Sequence, residues 1–167
     1  MTPTAAVYLD NAATTRLDPE VLDAMLPLMT EHFGNPSSIH KLVAGLLNTS
    51  PAEIFFTSGG TEADNTAIQS SIKTYGLTHA ITSPLEHHAV LHTLEHLAKQ
   101  GAITLSLVNI DENGHIDLAH LESLLQTNPR SLVSLMHGNN EIGNLLDLNR
   151  VGEICRAYDA IFHSDTV

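Results

Sequence analysis

The chain has 167 residues, 43% of them hydrophobic but only 4% aromatic, with no Trp, one Cys and a net charge of -12. That length suits one domain with an aliphatic core, and a single cysteine excludes an internal disulfide framework. The acidic balance argues against nucleic acid or an anionic membrane surface as partner, and no leader-like stretch in residues 1–6 or membrane-length apolar run is seen, so a cytoplasmic protein is expected.

Residues 1–17 read as an extended N-terminal arm, rich in small polar groups over 8–15. Asp18-Pro19 then starts a helix, with a capping side chain and proline at the first helical position. Val21, Leu22, Met25, Leu28 and Met29 form its apolar stripe, and Pro27 should kink it or end it early. Gly34-Asn35-Pro36-Ser37-Ser38 reads as a loop.

Five short apolar runs follow, at 53–57, 79–83, 103–110, 131–136 and 160–164. Helical patterns begin between them near Thr61, Glu86, Asp117 and Asp147. Strands alternating with helices predict an α/β fold with a mostly parallel sheet flanked by helices. The run 131–136 lacks polar–apolar alternation, as a strand buried on both faces should. Leu118, Leu121, Leu124 and Leu125 repeat at helical spacing after Asp117; Leu148, Val151, Cys155 and Tyr158 do so after Asp147. The chain closes right after the last strand, with no helix to cover that part of the sheet, so an incomplete domain is expected.

The segment Thr57-Ser58-Gly59-Gly60-Thr61-Glu62-Ala63-Asp64-Asn65 carries the first chemical signal. A glycine turn lets the backbone approach a bound group, and the first helical amides have no internal partner, so they favour an anion such as a phosphate. Thr61 adds a hydroxyl, with Asp64 completing a capping-box-like start. A glycine turn before a helix is common and is weak evidence alone. However, ligands of open parallel sheets sit beyond the carboxyl ends of the strands. There the chain offers Ser83 to His88, then His137-Gly138-Asn139-Asn140-Glu141, then His163-Ser164-Asp165. An imidazole, an amide and a carboxylate thus accompany the phosphate cup.

Five segments in order, Leu9-Asp10-Asn11-Ala12-Ala13-Thr14-Thr15, Gly34-Asn35-Pro36-Ser37-Ser38-Ile39-His40, the 57–65 segment, Glu86-His87-His88-Ala89-Val90-Leu91 and Asn139-Asn140-Glu141-Ile142-Gly143, closely resemble the cysteine desulfurases of the class-V aminotransferase group. The resemblance implies a fold-type-I pyridoxal-phosphate-dependent transferase, with 18–167 as part of its large, cofactor-binding domain. It implies that Gly60 and Thr61 hold the cofactor phosphate, that His87 stacks on the ring and moves protons, and that Asn140 bonds the ring oxygen. Asp165 would pair with the pyridinium nitrogen; Asn11, Ala12, Thr14 and Asn35 would lie on the substrate side. The implied reaction converts L-cysteine to L-alanine, leaving the sulfur as a persulfide on an enzyme thiol. The implied assembly is a homodimer that passes sulfur to an acceptor or iron–sulfur scaffold protein. Another class-V enzyme, a selenocysteine lyase or an aminotransferase, and an inactive truncated fragment remain as alternatives.

The chain departs from the family pattern in three places. Between His40 and the Pro51 segment roughly fifteen residues are missing, about 20 Å of helix. The family's cofactor-anchoring lysine is expected beyond Val167, since Lys41, Lys73 and Lys99 match no motif. Its sulfur-accepting cysteine is expected there too, because Cys155 shares a helical stripe with Val151 and Tyr158 and reads as a buried, inert thiol. The plainer alternatives are a surface His87, an Asp165 that caps a turn and an Asn139-Asn140 that merely turns the chain. Glu62, Asp64 and Glu86 read as helix-start acids. His88, His92 and His96 repeat every four residues opposite Val90, Leu94 and Leu97, so they should face solvent; no further ligand completes a site, and no metal is expected.

Overall fold

A computed structural model describes residues 18–30 and 36–166, and the chain divides into two compact units, 1–55 and 56–167. In the first unit, α1 (Pro19–Thr30) begins as expected, with Glu20 N donating to Asp18 Oδ1 at 2.8 Å. It does not end early at Pro27: the ring removes one backbone donor, and the helix adds three more residues after it. The second helix, α2 (Pro36–Leu46), starts inside the segment read as a loop, with proline in the first turn, where its missing N–H costs no helical bond.

The expected strand over 53–57 does not form. Ser50 and Glu53 make a reciprocal capping box around a 3-10 turn (Pro51–Glu53), and this local arrangement outcompetes the extended form. Phe55 and Phe56 remain 82% and 58% exposed, with no neighbouring strand among the described residues to cover them.

The second unit alternates as predicted: α3 (Gly60–Tyr75), β1 (His79–Thr82), α4 (His88–Lys99), β2 (Thr104–Leu107), α5 (Leu118–Thr127), β3 (Leu132–Ser134), α6 (Leu148–Ala157) and β4 (Ile161–His163). All strand pairs are parallel, in the order β2-β1-β3-β4. Successive strands step outward from β1 to β2, then cross back to β3 and β4. The order therefore reverses between β1 and β3, and a crevice opens beyond their carboxyl ends.

Side chains alternate across the sheet into two cores. Ala80 and Leu132 face Ile68, Ile72, Val90 and Leu94 of α3 and α4, whereas Ile81 and Val133 face Leu121, Leu125, Val151 and Ile154 of α5 and α6. All three residues of β3 are buried, as its unalternating sequence implies. Asp117 and Asp147 cap α5 and α6 through their side chains.

Candidate functional site

The start of α3 differs from those of α4, α5 and α6. His87, Asp117 and Asp147 each cap their helix with a side chain, but Gly59, the residue before α3, makes no side-chain cap. The expected Thr61–Asp64 capping box is not formed, because the helix begins one residue earlier, at Gly60, which puts Thr61 and Asp64 inside it. The reach-back comes instead from Glu62, which accepts from Ser58 N at 2.7 Å and Ser58 Oγ at 2.6 Å. Those bonds hold the Glu62 carboxyl below its ordinary range. A Cβ added at Gly59 would meet nothing within 4 Å. The first turn of a sixteen-residue helix thus presents amides that no side chain caps, beside open space.

Asp64, one turn further, is buried rather than a surface helix-start acid. Its Oδ1 stands 3.6 Å from Nε2 of His163, the last residue of β4. Burial, with the nearby Asp165 charge, pushes the Asp64 carboxyl up to about 6, while His87 acts in the opposite direction. Glu86 is likewise not a surface acid. It is 6% exposed, and burial with the charges of Asp165 and Asp64 pushes it up to about 7 against hydrogen bonds from Met136 and Ser83. Asp64, Glu86, His87 and Asp165 therefore act on one another at the carboxyl side of the sheet.

His87 is exposed, and its Nδ1 accepts from Ala89 N at 3.2 Å. In the neutral ring the proton is then on Nε2. His87 and Asn140 line one pocket of about 180 Å³, together with Glu86, Asn139 and Glu141. Gly60 and Thr61 do not line it. Asn139 positions its turn by donating Nδ2 to Leu85 O at 3.0 Å and accepting at Oδ1 from Glu141 N and Ile142 N, each at 2.9 Å. Asp165 follows β4, and its carbonyl accepts from His137 N at 2.9 Å. Asn11, Ala12, Thr14 and Asn35 lie outside the described residues. Sequence reasoning missed the burial of Asp64 and Glu86 and gave His163 no role. Glu86 lies four residues past the end of β1, in the turn leaving the strand, and that position was the signal available.

A match to the family model Aminotransferase class-V covers residues 7–167. The chain belongs to this family. It is 41% identical over 178 aligned positions to cysteine desulfurase IscS from Clostridium botulinum, a match covering 96% of this chain and 44% of that protein. The alignment is longer than the chain's 167 residues, so some of its positions have no residue here. Among solved structures, a NifS-like protein superposes with a TM-score of 0.82 at 35% identity, covering 96% of this chain and 49% of the other. SspA, solved in complex with cysteine, gives 0.81 at 28%, covering 95% and 50%. The chain thus spans about half the length of the relatives it matches.

The residues present suit pyridoxal phosphate. The uncapped start of α3 can take the phosphate. Asp64 and Asp165 press negative charge on one region whose nearby partners are His87 and His163, so a protonated ring nitrogen would be stabilised there.

Proposed function

We propose that the chain is the cofactor-binding part of a pyridoxal-phosphate-dependent cysteine desulfurase, with 18–167 belonging to the large domain. What carries this reading is the gathering of Asp64, Glu86, His87 and Asp165 around the carboxyl end of a parallel sheet in a class-V family chain. The names of the relatives supply the reaction class.

When bound, pyridoxal phosphate supplies an electron sink for bond changes at the substrate. In this reading Gly60 and Thr61 bind its phosphate through amides and the Thr61 hydroxyl. Asp165 holds a proton at the ring nitrogen, and Asn140 orients the ring through its oxygen. His87, which lines the 180 Å³ pocket, has Nδ1 engaged by Ala89 N and so carries its movable proton at Nε2. Asn11, Ala12, Thr14 and Asn35 are proposed to meet L-cysteine.

The sulfur leaves as a persulfide on an enzyme thiolate, and L-alanine is the other product. Cys155 is not that thiol: it is 2% exposed, and burial pushes it up to about 11. Lys41, Lys73 and Lys99 lie outside the motif segments, so the 167 residues by themselves are proposed to be inactive. A homodimer in the cytoplasm, passing sulfur to an acceptor or iron–sulfur scaffold protein, completes the reading. The test is incubation of the full-length protein with pyridoxal phosphate and L-cysteine, with alanine and sulfide measured together. Equal amounts of both are expected after a thiol reductant is added; no alanine would overturn the reading.

A further inference from the structure

Two side chains tie the turn leaving β1 to the turn leaving β3: Asn139, through Leu85 O, and Glu86. Glu86 Oε1 accepts from Met136 N at 3.1 Å and from Ser83 Oγ at 2.8 Å, and Ser83 Oγ in turn accepts from Leu85 N at 3.2 Å. Met136 lies just past β3, so Oε1 joins the turn leaving β1 to the exit of β3. Glu86 Oε2 is buried and has no hydrogen-bond partner among the described residues. The neighbours on either side are the proposed site residues: His87 follows Glu86, and Asn140 follows Asn139, whose Nδ2 binds Leu85 O at 3.0 Å.

We propose that Glu86 is a positioning residue of the candidate cofactor pocket: through Oε1 it holds the 83–88 turn, which carries His87, against the exit of β3, from which the Asn140 turn departs. The pocket's occupant rests on the pyridoxal phosphate reading; the clamp between the two turns does not. Glu86 acts as the neutral acid. Both donors go to Oε1, so ionisation would leave charge on a buried oxygen that no donor meets, and that is costly. A proton on Oε2 replaces that charge with a neutral hydroxyl, a smaller burial cost, and leaves the lone pairs of Oε1 for Met136 N and Ser83 Oγ.

The surroundings favour the same form. Asp165 and Asp64 oppose ionisation of Glu86, and burial pushes it up to about 7. His87 and Glu141 share the 180 Å³ pocket with Glu86, and His115, His137 and Asp147 share a neighbouring cavity of about 140 Å³ with it. His163 meets Asp64.

The experiment compares the full-length protein with Glu86→Gln and Glu86→Ala. Gln keeps a neutral group with an acceptor at Oε1; Ala removes the tie. Two quantities are read: the Kd for pyridoxal phosphate from an absorbance titration, and Tm at pH 5 and pH 8 without cofactor. Glu86→Gln should bind within about twofold of the parent and Glu86→Ala about tenfold or more weaker, the loss expected of broken buried hydrogen bonds. Because Glu86 gains proton affinity on folding, the folded state holds more protons between about 4.5 and about 7, and the parent loses stability as pH rises through that window. The fall in Tm from pH 5 to pH 8 should therefore be smaller in Glu86→Gln by about 3 °C.

Equal damage from Gln and Ala would overturn the neutral clamp, as would a Glu86→Ala variant indistinguishable from the parent. If Glu86→Ala does not fold, the pH slope of Glu86→Gln decides, and an unchanged slope overturns the proposal. If the parent itself fails to bind pyridoxal phosphate, the cofactor reading falls, while the Tm comparison still decides the clamp.

Discussion

Asp64, one turn into α3, and His163, at the end of β4, stand 3.6 Å apart with both side chains largely buried. His163 Nδ1 meets Ser134 Oγ at 2.9 Å, so the imidazole is fixed between the sheet and the helix. Burial pushes Asp64 up to about 6 and His163 down from its ordinary value. Near pH 7 the contact is a carboxylate beside a neutral ring, not a full ion pair, despite the short distance. The helix start that presents Gly60 and Thr61 is thereby anchored at the carboxyl end of β4.

The two groups have opposite effects on stability as pH changes. Asp64 binds protons more tightly when folded, so its contribution falls as pH rises between about 4 and about 6. His163 binds them less tightly, so its contribution is lost as pH falls below the ordinary histidine range. Asp64→Asn removes the first effect only. Urea midpoints measured every half unit from pH 4 to pH 6.5 should show the variant gaining on the parent as pH rises. A constant gap would contradict the buried position of Asp64.

Asp165→Ala in the full-length protein should weaken pyridoxal phosphate binding by about ten- to a hundredfold, as expected for a lost charged hydrogen bond. His92→Ala should stay within about twofold of the parent, since His92 is exposed on α4 and stacks on His88 with ring centroids 4.6 Å apart. Equilibrium titration of both variants checks the pair, and equal losses would count against the proposed site.

Gly114 has φ +80°, and a Cβ there would run into Ile142 Cδ1 and lie 3.1 Å from Asn144 Nδ2. Asn144 Nδ2 also donates to Asn113 O at 2.6 Å, tying the 139–144 turn to this loop. Gly114→Ala should cost about 1–2 kcal/mol in urea unfolding, mostly from the left-handed backbone. It should also increase hydrogen exchange at Glu141 and Ile142, whose amides depend on the Asn139 cap.

Cys155 should resist iodoacetamide at pH 8 in the native protein and react once urea unfolds it, because it is buried in the α5–α6 core and its thiol is pushed up to about 11. Peptide mapping by mass spectrometry after timed quenching checks this. Native labelling at the rate of a free thiol would show the helix to be open.

Much of the architecture could be read directly from residue order. The unalternating run at 131–136, the leucine stripe from Leu118 to Leu125 and the caps at Asp117 and Asp147 each encode an element within one or two turns of chain, because hydrophobic periodicity and capping are local. The same locality explains the motif segments, whose order along the chain already pointed to the family. The failed strand at 53–57 shows the limit: its apolar residues matched the pattern, but the Ser50–Glu53 capping box holds the start of the segment in a 3-10 turn.

What only the tertiary structure decided is the state of the acids. In sequence, Glu62, Asp64 and Glu86 look alike, each near a helix start. In the fold, Glu62 stays at the surface, whereas Asp64 packs against His163 and Glu86 spans the gap between β1 and β3. Burial and the proximity of Asp165 arise from segments some eighty to a hundred residues apart in the chain, and no local pattern records such distances. Charge state depends on what surrounds a group in space, and that was settled only when the sheet brought its strand ends together.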